Sequence, residues 1–285
     1  MSRYRLIAID LDDTLLDNQL KISPRVKGLV QELRERGVVV TLATGRMFRS
    51  SRPIALELGL ELPLITYQGA LVKNCFSGEV LLHRTLEVEY AREIIGLARE
   101  KGLHINLYLN DELYVERLSP AGEAYARLAG VPVCLVPDLT GLLASENAVD
   151  ENPVEAKLPY ANGRTGPTKV LLIGDEQYLD NLQAVLKPHY GARVHITKSK
   201  PNFLEFTHPL ANKGAALAEL AKYYGVSREE TMAIGDSFND LEMLEYAGLG
   251  VAMGNARQEI KARAGYVTAA NDEDGVAEAL QRFCF

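Results

Sequence analysis

The sequence predicts an α/β protein built on a doubly wound, Rossmann-like parallel sheet, with a second α+β domain inserted into it. Three observations carry the prediction. Short apolar runs end in polar clusters at Leu6-Ile-Ala-Ile-Asp10, Val38-Val-Val-Thr-Leu-Ala43 before Thr44, and Thr231-Met-Ala-Ile-Gly235-Asp236. Such runs read as central strands of a parallel sheet, whose ligands bind beyond the strands' carboxyl ends. A helix-like segment separates the first two, giving a right-handed strand, helix and strand crossover. Between about residues 83 and 197 the pattern changes to short alternating strands, so the chain reads as a core of 1–82 and 198–285 interrupted by an insert of 83–197.

Each element has its signal. Ser23-Pro24 is an N-cap followed by proline at the first helical position, and Gly37 closes that helix. Leu62 to Thr66 is a third strand, leading into Gln68-Gly69-Ala70. In the insert, Glu87 to Lys101 is helix-like, His104 to Leu109 and Leu113 to Glu116 are short strands, and the segment from Asn147 to Thr168 is rich in Gly, Pro and Asn. Lys169 to Ile173, Tyr178 to Lys187 and Arg193 to Thr197 complete the insert. Phe203 to Thr207 follows it, and an apolar-periodic helix from Ala215 to Tyr224 places Lys213 at its first turn.

Composition narrows the function. At 285 residues, 47% hydrophobic and 24% charged, the chain is ordinary globular material able to bury a core. A formal charge of −7 argues against sequence-independent nucleic-acid binding, which needs a basic face. Cys75, Cys134 and Cys284 are widely spaced and odd in number, indicating neither a disulfide framework nor a thiolate metal site. No run approaches the roughly 20 apolar residues of a membrane span, and the first apolar run is too short for a signal-peptide core. A cytoplasmic enzyme with a small substrate, and with no nucleic-acid or membrane partner, is the expectation.

The acids then point to chemistry. Asp10 and Asp12 stand two apart, which on an extended chain turns them the same way, and crowded carboxylates demand a raised pKa or a divalent cation. A lysine at a helix N-terminus is electrostatically unfavourable unless an anion lies between the two. Two acid-ended strands, a hydroxyl-ended strand and a helix-borne lysine are the parts needed to hold a metal and a phosphoryl group. Other features have plainer readings. Gly174-Asp175 repeats Gly235-Asp236 without the Asn-Asp pair, and reads as a strand and turn. Gly163 to Lys169 lacks a phosphate-loop ending, and Pro167 removes a needed N–H. The five histidines show no zinc spacing, and Tyr108 and Tyr114 read as packed strand residues.

Asp10-Leu-Asp12-Asp13-Thr14, Ala43-Thr44-Gly45-Arg46, Asn212-Lys213-Gly214 and Gly235-Asp236-Ser237-Phe238-Asn239-Asp240 occur in the order of the four haloacid dehalogenase superfamily motifs. The chain resembles the Cof-type branch, subfamily IIB, with a C2B-type α/β cap between the second and third motifs. Gln68 departs from the asparagine expected before Gly69. The resemblance implies a Mg²⁺-dependent phosphatase acting on a small phosphorylated metabolite through an aspartyl-phosphate. It implies Asp10 as nucleophile and Asp12 as general acid/base. Mg²⁺ would be held by Asp10, the main-chain carbonyl of Asp12 and Asp236, with Asp240 positioning that shell. Thr44, Gly45 and Lys213 would grip the phosphoryl group, and Asn239 would orient it or Lys213. Arg46 could touch substrate, steer Asp12 or pair on the surface, and Asp13 could simply cap a turn. A phosphomutase or other phosphotransferase shares these motifs. A non-catalytic phospho-acceptor shares the acidic pocket but has no use for an acid/base at Asp12.

Overall fold

The computed structural model describes residues 3–143 and 166–285. The chain divides into two compact units, Met1–Leu82 with Ala211–Phe285, and His83–Leu210. The first begins with β1 (Leu6–Ile9), α1 (Pro24–Glu35), β2 (Val39–Leu42), α2 (Phe48–Glu57), β3 (Pro63–Thr66), β4 (Leu71–Asn74) and β5 (Val80–His83). The second runs through α3 (Val88–Lys101), β6 (His104–Leu109), β7 (Glu112–Val115), α4 (Pro120–Ala129), β8 (Val133–Leu135), α5 (Leu139–Leu142), β9 (Lys169–Ile173), α6 (Glu176–Tyr190), β10 (His195–Lys200) and β11 (Phe203–Thr207). The chain then returns through α7 (Lys213–Tyr223), β12 (Thr231–Gly235), α8 (Leu241–Tyr246), β13 (Leu249–Ala252), α9 (Gln258–Lys261), β14 (Tyr266–Val267) and α10 (Gly275–Cys284).

In the first unit, the described strands form a parallel sheet ordered β14-β13-β12-β1-β2. Every side chain of β1 and β12 is buried, which is why both read as unbroken apolar runs. Helix α1 starts where Ser23 Oγ accepts from the Arg25 N–H at 3.2 Å, and it buries Val26, Leu29, Val30 and Leu33. Each such side chain contributes roughly 1.5–3 kcal/mol. Past β2, Ala43 bridges Ile65 in parallel, drawing β3 alongside. From β1 the chain winds outward to β2, and from β12 it winds the other way to β13. The carboxyl ends of β1 and β12 therefore flank the point where the winding reverses, the position of ligand crevices in such sheets.

In the second unit the described strands are ordered β10-β11-β9-β6-β7-β8, antiparallel except for β7 with β8. Ile105, Leu107, Val170, Leu172, Leu204 and Phe206 point to one side and pack with Ile94, Ile95, Leu179 and Leu186 of α3 and α6. This corrects the expected end of the insert at residue 197. Residue 197 lies inside β10, and β11 pairs with β9 in the register Leu204↔Leu172. Nothing local to Phe203–Thr207 names the strand it pairs with. The Gly, Pro and Asn-rich stretch from 147 lies outside the described residues up to 165. Helix α7 begins two residues before its expected start, at Lys213 itself. Tyr108 is fully buried, Tyr114 packs on the apolar cluster, and Asp175 caps α6 by accepting from the Tyr178 N–H at 3.0 Å.

Candidate active site

Strand β1 delivers Asp10. Its N–H donates to Ile234 O at 2.9 Å, tying the residue's backbone to β12, and it is 5% exposed. The strand stops at Ile9, and Leu11–Leu15 forms a tight turn in which Asp13 takes a left-handed conformation with φ 58°. Asp10 and Asp12 are thus not successive members of one strand face, as their two-residue spacing suggested. Asp10 turns inward. Asp12, with its side chain 42% exposed, is held in a fork by Arg46, whose Nε and Nη2 lie 2.8 and 2.5 Å from the two carboxylate oxygens.

Strand β12 delivers Asp236, and the following turn delivers Asp240. Close approach requires a glycine before them, because a Cβ on Gly235 would lie 2.6 Å from Asp240 Cγ. The fully buried Asp240 accepts from the N–H groups of Asp236 and Ser237 on Oδ2, both at 3.0 Å. Its Oδ1 accepts from Lys213 Nζ at 2.6 Å, and the same ammonium donates to Asp10 Oδ1 at 2.5 Å. Lys213 reaches them from the first residue of α7, which Asn212 caps by accepting from the Ala215 N–H at 2.7 Å.

The charges are crowded. Oxygens of Asp10, Asp236 and Asp240 lie within 4.8 Å of one another, the candidate cation group among the described residues. Burial, and then the charge of Asp240, pushes the Asp10 carboxyl well above the ordinary aspartate range despite Lys213. The same two causes push Asp236 up to about 7. Burial alone disfavours the Lys213 ammonium, but Asp10 and Asp240 outweigh it and raise its pKa. The donor set is carboxylate oxygen without nitrogen or sulfur, which suits a hard cation such as Mg²⁺ better than zinc.

The remaining predicted residues gather at the same rim. Thr44 is buried, and its Oγ1 accepts from the Arg46 N–H at 3.1 Å, which leaves the hydroxyl proton to donate. Gly45 lies against the Gln68 amide. Asn239 donates from Nδ2 to Gln68 Oε1 at 2.9 Å and accepts from the Ser237 hydroxyl on Oδ1. Sequence reasoning gave no role to Thr14, whose hydroxyl donates to Asp236 Oδ1 at 3.0 Å, or to Ser237. The signal for Thr14 was its place in the acidic run. Its partner, more than two hundred residues away, was not readable.

A family model of the haloacid dehalogenase-like hydrolases matches residues 7–280. The chain is 33% identical over 260 residues to an HMP-PP phosphatase of Serratia proteamaculans, covering 90% of this chain and 86% of that one. It is 32% identical over 283 residues to the 5-amino-6-(5-phospho-D-ribitylamino)uracil phosphatase YwtE of Bacillus subtilis, covering 96% of each. The crystal structure of a haloacid dehalogenase-like hydrolase from Bacteroides thetaiotaomicron superposes with a TM-score of 0.82 at 32% identity, over 98% of this chain and 99% of that one. Matched over nearly its whole length, the chain belongs to the haloacid dehalogenase-like hydrolases.

Proposed function

We propose that this phosphatase hydrolyses small phosphomonoesters through a covalent phosphoryl-enzyme on Asp10. The observation that carries the reading is Asp10 itself, a buried carboxylate at the winding reversal, bonded to a buried lysine and crowded by two further acids. In the first half-reaction Asp10 attacks phosphorus in line with the leaving oxygen, and the P–O bond to the alkoxide breaks. Asp12 supplies the proton that the alkoxide takes up. In the second, Asp12 removes a proton from water, whose oxygen attacks phosphorus and frees Asp10. Arg46 orients Asp12 for both steps. Lys213 offsets the negative charge that would repel an anionic substrate, while the Thr44 hydroxyl, the Gly45 backbone and Asn239 receive phosphoryl oxygens.

Asp10, Asp236 and the main-chain carbonyl of Asp12 would hold Mg²⁺, and Thr14 would orient Asp236 through their hydrogen bond. When bound, the cation supplies positive charge to the phosphoryl oxygens and balances the crowded acids. Asp240, with both oxygens already accepting, serves to position Lys213 and the turn after β12. The named relatives act on small phosphorylated metabolites, which supports a substrate of that class. The 83–210 unit is read as the element that selects the leaving group.

The test is phosphate release from a panel of phosphomonoesters with Mg²⁺ or with chelator, using Asp10→Asn as the blank. Magnesium-dependent release that is absent from the variant is expected. No release from any compound, or equal release from the variant, overturns the reading.

A further inference from the structure

Gln68 departs from the motif pattern, is 2% exposed, and sits in the left-handed region with φ 59°, directly after Tyr67 at φ 51°. Two successive non-glycine residues in this region are strained, and strain of this kind persists where the surroundings over-determine it. The surroundings here are two of the site's own segments, Thr44-Gly45-Arg46 and the turn that carries Asn239. The Gln68 N–H donates to Thr44 O at 3.1 Å, and the Tyr67 N–H to Arg46 O at 2.9 Å. The Gln68 side chain fills the space beside Gly45 so closely that a Cβ there would lie 2.4 Å from Nε2. Its Oε1 accepts from Asn239 Nδ2 at 2.9 Å.

Asn239 is therefore fixed at both ends of its amide, by Gln68 on one side and by the Ser237 hydroxyl on the other. An asparagine amide carries two N–H donors, and this pairing uses one, leaving the second for a phosphoryl oxygen. We infer that Gln68 is a positioning residue for phosphoryl transfer, setting the Asn239 amide and the spacing of the Thr44-Gly45-Arg46 segment against it. The inference rests on the phosphatase reading above. Because Gln68 acts through the phosphoryl end of the substrate, its loss affects all phosphomonoesters alike.

The experiment is a double-mutant cycle of Gln68→Met, Asn239→Ala and the pair, each assayed on several phosphomonoesters and with inorganic phosphate as a competitive inhibitor. Methionine keeps the volume of the side chain and removes the amide. Gln68→Met is expected to lower kcat/KM about tenfold by the same factor for every substrate and to weaken phosphate inhibition. The pair is expected to be no slower than Asn239→Ala alone, because the two residues act as a unit. Losses that multiply, a loss confined to some substrates, or unchanged kcat/KM in Gln68→Met overturns the inference. Should Gln68→Met melt well below the parent, Gln68→Glu decides, since its carboxylate still accepts from Asn239 Nδ2. Asn239→Ala lowering kcat/KM by the same factor in Gln68→Glu as in the parent upholds the inference, and a factor near one in that background overturns it. Wild-type protein that releases no phosphate overturns the phosphatase reading itself, which Gln68→Met alone cannot do.

Discussion

At the scale of single residues, the site is a balance between one buried ammonium and three crowded acids, of which Asp10 and Asp240 are buried. Removing the ammonium leaves Asp10 and Asp240 without their shared partner. Breaking a buried pair this way typically costs about 3–5 kcal/mol. Lys213→Met is therefore expected to lower stability by about that amount in urea titration, and by less at pH 5 than at pH 8, because protonation of Asp10 relieves the stranded charge. A melting curve with the opposite pH trend would count against the arrangement. Asp10→Asn removes an acid whose ionised form burial and Asp240 disfavour. Lys213 keeps Asp240, so this variant is expected to lose phosphate release while unfolding at or above the parent's midpoint. Asp236 adds a pH dependence. Pushed up to about 7, it binds more protons folded than unfolded between roughly pH 4 and 7, so its contribution to stability falls as pH rises through that window.

At the scale of elements, the site depends on where strands stop and helices start. Asn212 caps α7 one residue before Lys213. Replacing such a cap with alanine costs about 1 kcal/mol. Asn212→Ala is expected to lose about that much stability and to lower kcat more than the stability loss explains, as the lysine's anchoring turn frays. Wild-type kcat with lowered stability would show that the cap serves the helix alone. Elements of this kind were largely legible in the sequence. The apolar runs of β1, β2 and β12 lie between polar ends, and Ser23-Pro24 marks a helix start by its own chemistry. The positions of Asp10, Asp236 and Lys213 followed from those ends. What stayed hidden depended on partners distant in sequence. Thr14 on Asp236 and Gln68 on Asn239 are side-chain pairings that no local pattern encodes, and the Arg46 fork on Asp12 was one of three roles left open for Arg46. The turn after Ile9 likewise broke the simple two-residue alternation, and β11 joined the second sheet because pairing, not periodicity, decides membership.

At the scale of the whole molecule, the two units differ in how local they are. His83–Leu210 is one continuous stretch with its own apolar cluster among the described residues. Expressed alone, it is expected to unfold cooperatively by circular dichroism; a featureless melt would show that it needs the rest of the chain. Cation binding should act on the entire protein as a stabiliser of the folded state. Because the acids must shed protons to accept Mg²⁺, its addition is expected to raise the melting temperature more at pH 7.5 than at pH 5. An equal rise at both values would place the cation elsewhere. Among the described residues, no helix is long and apolar enough to cross a membrane.

The pairing of Leu6 with Thr231 has a further consequence, in time. Chains are synthesised from the N-terminus at about 5–20 residues per second, so roughly 10 to 45 s separate the appearance of β1 from that of its β12 neighbour. Throughout that interval one edge of an all-apolar strand has no native partner. The nascent chain thus carries β1 half-paired, a window in which chaperone capture or edge-to-edge association competes with completion of the sheet.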